Sequence, residues 1–186
     1  MENKTRCAWC EKDDLYRDYH DNEWGKPVYD DDKLFEFLIL ETFQAGLSWY
    51  MILKKRETFR IAFDHFDYKK IAQYNEDKVQ ELLLDAGIVR NKLKIRATIS
   101  NAIAFMKVQE EFGSFSKYIW GFVDGKPIEN NRRHLKEVPA TTPLSDEISK
   151  DLKKRGFKFV GSTVVYAHMQ ATGMVNDHVF DCWTQR

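Results

Sequence analysis

Residue types that bind zinc occur near both ends of the chain. Cys7, Cys10 and His20 lie within the first twenty residues, and His178 and Cys182 lie four residues apart near the other end. Two residues four apart on a helical turn project to the same side, and a structural zinc ion takes four nitrogen or sulfur ligands in a closed tetrahedron. The long gap between the two groups makes spacing alone weak evidence, so buried free cysteines and surface histidines remain the alternative interpretation.

Glu41 is a second candidate, because its spacing places a carboxylate in apolar surroundings. It follows Leu34 by seven residues and Leu38 by three, so on a helix it shares their apolar stripe. A carboxylate directed toward a core is unfavourable unless it has a partner or lines a cavity. A turn that ends in Trp49 comes soon afterwards. We therefore expect either a pocket for a flat polar ligand, lined by Glu41, Trp49 and near-N-terminal aromatic rings, or a buried glutamate paired with an arginine.

A basic segment that follows a glycine-containing turn is the third candidate. Residues 82–89 read as the end of a helix and a short turn, and Arg90, Lys92, Lys94 and Arg96 follow with no acidic residue between them. The backbone N–H groups of such a turn, together with the start of the next helix, form a ready phosphate site. Contacts of this kind anchor a DNA duplex without reading its sequence. The alternative is an ordinary helical hairpin with a solvated basic face.

The elements that position these residues are predicted to be helices. Strand-like alternation is scarce, and apolar residues mostly recur at intervals of three and four. The expected helices are one capped by Asp31 and Asp32, one from Trp49 to about Phe63, one from Glu76 to Asp85 capped by Asn75, a long one from about Asn91 to Glu111, one capped by Ser145 and ending at Gly156, and one from Ser162 or Thr163 to Gly173. Residues 121–144 contain three of the four prolines and read as a long connection. The pattern predicts an all-α bundle of about eight short helices.

Composition favours one globular domain that spans residues 1–186. Apolar residues make up 43% of the chain, which is enough for a sizeable core. Neither a repeat of fixed period nor an apolar run long enough to span a membrane occurs. The charged start is unlike a signal peptide, and three cysteines, an odd number, argue against a disulfide framework. We therefore expect a cytoplasmic protein with no membrane contact.

The net charge is zero, but the charges are unevenly distributed along the chain. Residues 1–50 hold 12 acidic and 6 basic residues, and basic clusters follow at 54–56, 90–96 and 153–158. Local patches, and not the total, set the electrostatic field at a docking surface. A zero total is therefore compatible with a nucleic-acid partner.

Taken together, these stretches resemble the DNA-3-methyladenine glycosylase I family of bacteria. The residues that carry the resemblance are Arg6, Cys7 and Trp9, Asp14–Tyr16, Tyr19–Gly25, Glu41 with Gln44–Trp49, Leu53–Arg56, Leu152–Phe159, and Asn176–His178 with Cys182. No single motif is decisive, but their order and spacing together are specific and cover almost the whole chain. The family is a branch of the helix-hairpin-helix DNA glycosylases.

The resemblance implies a helix-hairpin-helix glycosylase fold with a structural zinc ion. The motif is expected at about residues 76–111, with its turn around Gly87. One Zn²⁺ per chain joins the N- and C-terminal segments, and its implied ligands are Cys7, His20, His178 and Cys182. Cys10 departs from this simple picture, because it completes a Cys-x-x-Cys that can compete for the metal.

The resemblance also implies the residues that recognise a damaged base in double-stranded DNA. Glu41 hydrogen-bonds the base, and the implied pocket walls are Trp9, Tyr16, Tyr19 and Trp49. Gly46 and Leu47 match the family loop that fills the gap left in the duplex. The implied backbone contacts come from Gly87, Arg90, Lys92 and Lys94. Trp24 is expected in the core.

The implied activity is hydrolytic excision of 3-methyladenine, which leaves an abasic site and an uncut strand. We assign no residue to the catalytic Asp or Schiff-base Lys of other helix-hairpin-helix glycosylases, and Glu41 either reads the base or positions water. The chain is expected to act as a monomer without an obligate protein partner. The alternatives are a non-enzymatic, zinc-stapled helix-hairpin-helix DNA-binding module and a zinc-stapled protein-interaction domain. Neither has a reason to surround Glu41 with four aromatic rings.

Overall fold

The computed structural model describes residues 4–185, and most of these residues are helical. The α-helices are α1 (Asp14–Asn22), α2 (Asp31–Gln44), α3 (Trp49–Ala62), α4 (Tyr68–Ile71), α5 (Glu76–Leu84), α6 (Lys92–Phe112), α7 (Phe115–Gly121), α8 (Pro143–Lys154) and α9 (Ser162–Ala171). Single 3₁₀ turns occur at Ala8–Cys10, Asp64–Phe66, Leu135–Glu137 and Trp183–Gln185. Within residues 4–185, no helix has the length and apolar character that a membrane crossing requires.

Helix α2 is the central element of the fold. Every residue from Leu34 to Phe43 is buried, and the helix packs against α3, α6, α7 and α9. A helix that is surrounded on all sides has no polar face, so its sequence shows more than the single apolar stripe that periodicity suggested. The consequence is that Glu41 lies inside the protein whichever way its side chain points.

Local capping residues begin most of the helices where the sequence predicts them. The Asn75 side chain accepts the Lys78 N–H at 3.0 Å, as expected for the cap of α5. Two expectations were wrong by a few residues. Helix α2 is capped by Asp30. Helix α8 is capped by Thr142, with Ser145 as the reciprocal partner of a capping box, because the intervening proline suits the first turn of a helix.

Two short strands accompany the helices of this mostly helical protein. β1 (Ile128–Glu129) and β2 (Val175–Asn176) pair in parallel, and Arg132 forms an isolated bridge with Val179. Buried Asp177 strengthens this junction by accepting hydrogen bonds from the side chains of Asn130, Arg132, Tyr166 and Gln170. The pairing fixes the proline-containing connection 121–144 to the C-terminal segment. Such short strands carry too few residues to show a period of two in the sequence.

Gly173 connects α9 to the segment that follows α1. Its φ is +68°, and a Cβ at this position would lie 2.3 Å from the carbonyl carbon of Lys26 and 2.4 Å from the nitrogen of Pro27. Both neighbours are backbone atoms and cannot rotate away. The close approach therefore places the N-terminal aromatic segment against the end of α9.

We expect Gly173→Ala to destabilise the protein by about 3 kcal/mol or more, because the methyl group overlaps backbone and the left-handed conformation is unfavourable for alanine. Gly125→Ala is the matched control, since Gly125 has a φ of +72° but nothing within 4 Å of the added carbon. The control should lose only about 1–2 kcal/mol. Urea denaturation of both variants measures the difference, and equal losses would show that the contact with residues 26–27 is unimportant.

Candidate active site

Helix α1 presents side chains to two different sites. The Asp13 side chain caps the helix by accepting the Tyr16 N–H at 3.0 Å. Tyr16 and Tyr19 are three residues apart and share one face, whereas His20 projects about 100° away from Tyr19. Tyr19 and His20 are both buried. The helix therefore separates an aromatic cavity from a histidine–cysteine cluster.

The cavity brings together the pocket residues that the resemblance implied. Its volume is about 250 Å³, which suits one flat ring system rather than a larger ligand. The lining residues are Trp9, Tyr16, Tyr19, Trp24, Glu41, Gln44, Trp49, Leu135, Val138, Ala167 and Gln170. The ring centroids of Tyr19 and Trp49 are 5.3 Å apart, and those of Trp9 and Tyr16 are 4.9 Å apart. Aromatic faces thus form much of the wall around a single carboxylate.

Glu41 is buried in this wall without a partner. Its side chain is 3% exposed, and Oε2 has no hydrogen-bond partner among residues 4–185. Burial alone raises the pKa of Glu41 to about 8, because a carboxylate loses its hydration inside a protein. The indole Nε1 of Trp49 likewise lacks a partner in the described part of the chain. The arginine pairing considered from the sequence is absent here, and the site has hydrogen-bonding capacity for a ligand.

We expect the buried carboxylate to make the protein less stable as pH rises. The raised pKa means that folded Glu41 holds its proton between pH 4.5 and about 8, whereas unfolded Glu41 loses it. The free energy of unfolding therefore decreases as pH rises across this window. The decrease is up to about 1.4 kcal/mol for each pH unit by which the pKa of folded Glu41 exceeds that of unfolded Glu41. Glu41→Gln removes this penalty. Urea denaturation from about pH 5 to pH 9 should show the unfolding free energy of the variant rising by several kcal/mol relative to that of the unaltered protein. If the unfolding free energies of the two proteins changed with pH in parallel, the burial of an unpartnered acid would be contradicted.

The second site is a cluster of four buried ligand groups from both ends of the chain. Cys7, His20, His178 and Cys182 each offer one atom, and these atoms lie within 4.8 Å of one another. Cys182 Sγ is 3.4 Å from His20 Nε2 and 3.6 Å from His178 Nδ1, and Cys7 Sγ is 3.7 Å from the same Nδ1. A tetrahedral zinc ion with its usual bond lengths separates its ligands by about 3.3–3.8 Å. The donor set and spacing therefore fit a metal.

Hydrogen bonds to the outer nitrogens orient both histidine rings. His20 Nδ1 lies 2.8 Å from Asp21 Oδ1, and His178 Nε2 lies 3.1 Å from the Trp24 carbonyl oxygen. Arg6 holds the same Asp21 carboxylate at 2.8–3.0 Å. Each ring therefore directs its other nitrogen into the cluster, as metal-binding histidines do.

Cys10 lies outside this cluster. Its thiol is buried and donates to the Cys7 carbonyl oxygen at 3.1 Å. The Cys-x-x-Cys pattern therefore places only Cys7 with the two histidines and Cys182. The geometry favours Cys7 over Cys10 as the ligand.

Two tryptophans connect the cavity to the cysteine–histidine cluster. The Trp9 ring is 5.3 Å from the His20 ring and 5.0 Å from the Trp24 ring, and Trp24 is 4.6 Å from His178. Trp24 was expected in the core, but it is only partly buried and lines the cavity. Its position in the same aromatic run as Tyr19 and His20 was the available signal. Because the cavity wall and the cluster share these two rings, a structural change in the cluster also displaces side chains of the cavity wall.

Residues 45–48, here called the wedge loop, lie beside the cavity between α2 and α3. All four residues are exposed, Gly46 has a φ of +82°, and Leu47 is 39% exposed. The Ser48 side chain caps α3 by accepting the Met51 N–H. An exposed leucine at the tip of a capped turn is available for contact with another molecule.

Residues 85–91, here called the hairpin turn, join α5 and α6 and form a longer connection than the sequence suggested. The Gly87 N–H donates to Asp85 Oδ1 at 2.6 Å, so Gly87 is not a free donor for phosphate. A Cβ at Gly87 would lie 3.0 Å from Thr58 Cβ, so the glycine permits close packing on α3. The N–H groups of Val89 and Arg90 have no acceptor among the described residues. The role expected for Gly87 is therefore revised to a packing role.

The basic residues of this segment divide into exposed and buried positions. Arg90 and Lys92 are exposed, and Lys92 Nζ lies 3.5 Å from a Glu76 carboxylate oxygen. Lys94 is 6% exposed, and its ammonium donates to the carbonyl oxygens of Phe43 at 2.8 Å and Ala45 at 2.7 Å. The expected phosphate contact of Lys94 is therefore corrected, because its charge is already bound inside the protein.

Two glutamines to which the sequence analysis gave no pocket role complete the cavity wall. Gln44 and Gln170 both line it, and the Gln170 amide donates to Asp177 at 2.8 Å. Gln170 belongs to α9, whose sequence shows nothing unusual at this position. Only the packing of α9 against α2 brings it to Glu41.

Comparison with known proteins shows the family to which the chain belongs. A family model described as methyladenine glycosylase matches residues 9–185. The chain is 50% identical over 177 residues to DNA-3-methyladenine glycosylase 1 of Escherichia coli (strain K12), with 95% of each chain covered. It is 47% identical over 178 residues to DNA-3-methyladenine glycosylase of Haemophilus influenzae, with 96% of each covered.

A solved structure shares the fold as well. The 3-methyladenine DNA glycosylase I of Staphylococcus aureus, described for its recognition of 3-methyladenine, matches with a TM-score of 0.94 and 38% identity. The match covers 97% of this chain and 96% of that one. The expected resemblance is confirmed, and the chain belongs to the methyladenine glycosylase family.

Proposed function

We propose that this chain is a DNA glycosylase that excises 3-methyladenine from alkylated double-stranded DNA by hydrolysis. The observation that carries the proposal is the unpartnered, buried Glu41 carboxylate in an aromatic cavity the size of one base. The relatives named above carry the same activity in their names. A purely DNA-binding module has no use for such a cavity.

The cavity selects a cationic base through charge and stacking. N3-alkylated adenine in DNA carries a positive charge, and the faces of Tyr19 and Trp49 attract a cation by about 1–2 kcal/mol when water is excluded. A cation beside Glu41 favours the ionised carboxylate, which then accepts a hydrogen bond from the exocyclic amine. A neutral purine instead meets a carboxyl group that keeps its proton near neutral pH, since the pKa of Glu41 is about 8.

A base must leave the duplex before it can enter this cavity. Flipping costs a few kcal/mol, and Leu47 of the wedge loop fills the gap in the stack while Gly46 lets the backbone approach. Arg90, Lys92 and the free N–H groups of the hairpin turn hold the phosphate backbone. These contacts bear no sequence information, which suits an enzyme that must find damage anywhere.

The four-ligand cluster holds a structural Zn²⁺ in this proposal. Cys7, His20, His178 and Cys182 would hold the ion with four protein ligands, so it would tie the chain ends together and leave no position for a reactive water. The Thr184 hydroxyl lies 2.7 Å from His178 Nδ1 and must turn aside for coordination. The ion acts on the reaction only by fixing Trp9, Trp24 and α1.

Little acid–base assistance is needed for bond cleavage, because the cationic leaving group departs readily. The sugar passes through an oxocarbenium-like state that water attacks, and the product is an abasic site. No lysine lines the cavity among the described residues, so the strand is left uncut. One chain supplies the cavity, the wedge loop and the hairpin turn, which is consistent with a monomer.

Incubation of the purified protein with methylated duplex DNA tests the proposal. We expect chromatography to show release of 3-methyladenine, and the strands to break only after alkali treatment of the abasic sites. Absence of base release, with the DNA still bound, would favour the non-enzymatic alternative.

A further inference from the structure

Lys94 reaches from the start of α6 to the wedge loop. Its buried ammonium donates to the Phe43 and Ala45 carbonyl oxygens at 2.8 and 2.7 Å. The last carbonyl groups of a helix lack intrahelical partners. The lysine therefore supplies hydrogen-bond donors to a carbonyl group near the end of α2 and to that of the first residue of the wedge loop. The Lys94 backbone N–H, in turn, is held by the Asn91 side chain at the end of the hairpin turn.

Lys55 makes the opposite connection, from α3 to the hairpin turn. Its ammonium donates to the carbonyl oxygens of Ala86 at 2.9 Å and Gly87 at 3.2 Å. The Thr58 hydroxyl, one turn further along α3, lies 2.6 Å from the same Gly87 oxygen. The side chain of Lys55 is only partly buried.

The two lysines therefore form a reciprocal pair of bridges. The helix that follows the hairpin turn holds the wedge loop, and the helix that follows the wedge loop holds the hairpin turn. Each ammonium donates to two carbonyl oxygens: those of Lys55 lie in the hairpin turn, and those of Lys94 lie at the end of α2 and at the start of the wedge loop. Hydrogen bonds from a charged donor are stronger than neutral ones. Among residues 4–185, the only other side chain that hydrogen-bonds either loop from the opposite helix is the neutral Thr58 hydroxyl.

We propose that Lys55 and Lys94 are positioning residues that hold the wedge loop and the hairpin turn at a fixed separation, so that both engage one DNA duplex together. The inference rests on the proposed function, because the separation matters only if one loop enters the base stack while the other grips the backbone. Insertion of Leu47 forces the duplex apart, and the hairpin turn must resist that force. Neither lysine touches the cavity.

Lys55→Met and Lys94→Met test the bridges, with Lys107→Met as the matched control on the exposed side of α6. Two measurements separate positioning from general damage. Binding of free 3-methyladenine, followed by tryptophan fluorescence, should change by less than about twofold. The single-turnover rate of base release from methylated duplex should fall about tenfold or more, because small displacements at a site are costly.

Hydrogen exchange without DNA gives an independent reading of the bridges. The amides of residues 45–48 and 85–91 should exchange faster in both bridge variants than in the unaltered protein. Their exchange rates should be unchanged in the control variant. Lys55→Arg retains two donors and should recover most of the rate. If Lys94→Met fails to fold, Lys55→Met carries the test, since its side chain is less buried.

Three outcomes decide the matter. Unaltered protein that releases no base overturns the proposed function, and the bridge proposal with it. Base release and exchange rates in Lys55→Met that equal those of Lys107→Met overturn the bridges alone. A parallel loss of free-base binding and base release also overturns them, because it would show that the substitutions damage the cavity.

Discussion

Replacing Glu41 with glutamine is expected to lower the rate of 3-methyladenine release from DNA by about 100-fold, the usual effect of removing one preorganised electrostatic contact from a buried site. Glutamine keeps the size of the side chain and one carbonyl acceptor but cannot carry the negative charge. The cationic base then loses its ion partner in a cavity where water does not replace it. Single-turnover release from methylated duplex is the measurement.

Glu147→Gln is the control for this substitution, since it removes an exposed carboxylate of α8 that does not line the cavity. It should leave the rate unchanged. The Glu41 variant should remain folded and become more stable at alkaline pH, so a lost rate will not reflect unfolding. Retention of the rate within about threefold would remove Glu41 from its proposed role.

Loss of a zinc ligand is expected to have the second large effect, on stability and on the cavity together. Cys7→Ser should lose the bound zinc and lower the melting temperature by about 10 °C, which corresponds to about 3 kcal/mol or more for a chain of this size. In the proposed zinc site the ion would close a loop that spans nearly the whole chain, and its loss would leave the buried ligands without their partner. Zinc quantification and calorimetry on the purified variant measure both effects.

Loss of the metal site should also lower the affinity of the cavity for the base. Trp9 and Trp24 pack on the His20 and His178 rings, so their release should reduce the affinity for free 3-methyladenine while Glu41 stays in place on α2. Cys10→Ser is the matched control and should keep its zinc, because its thiol only donates to the Cys7 carbonyl oxygen. Retained zinc in Cys7→Ser with loss in Cys10→Ser would reverse the ligand assignment.

Sequence patterns of short range determined the local structure. Asn75 caps its helix as predicted, and the long helix begins next to Asn91, close to its expected start, because a cap needs only a hydrogen bond to residues two or three further along the chain. Errors were small and had local causes, as at α8, where Thr142 precedes Pro143 and takes the capping position from Ser145.

The sequence also located most of the site through the family resemblance. Trp9, Tyr16, Tyr19, Glu41 and Trp49 meet around one cavity, and the four implied metal ligands meet in one cluster. Spacing alone left each meeting as one of two open alternatives. The helical stripe that contains Glu41 fitted a buried ion pair equally well, and the structure shows no such pair among the described residues.

Only the tertiary structure decided which polar groups are already engaged. Arg90, Lys92 and Lys94 look alike in sequence, yet Lys94 is buried with its charge held by carbonyl oxygens from α2 and the wedge loop. Gly87 reads as a phosphate-binding glycine, yet its N–H belongs to Asp85. The reason is physical: local patterns determine helix ends and faces, but whether a side chain meets solvent or a partner depends on elements brought together from distant parts of the chain.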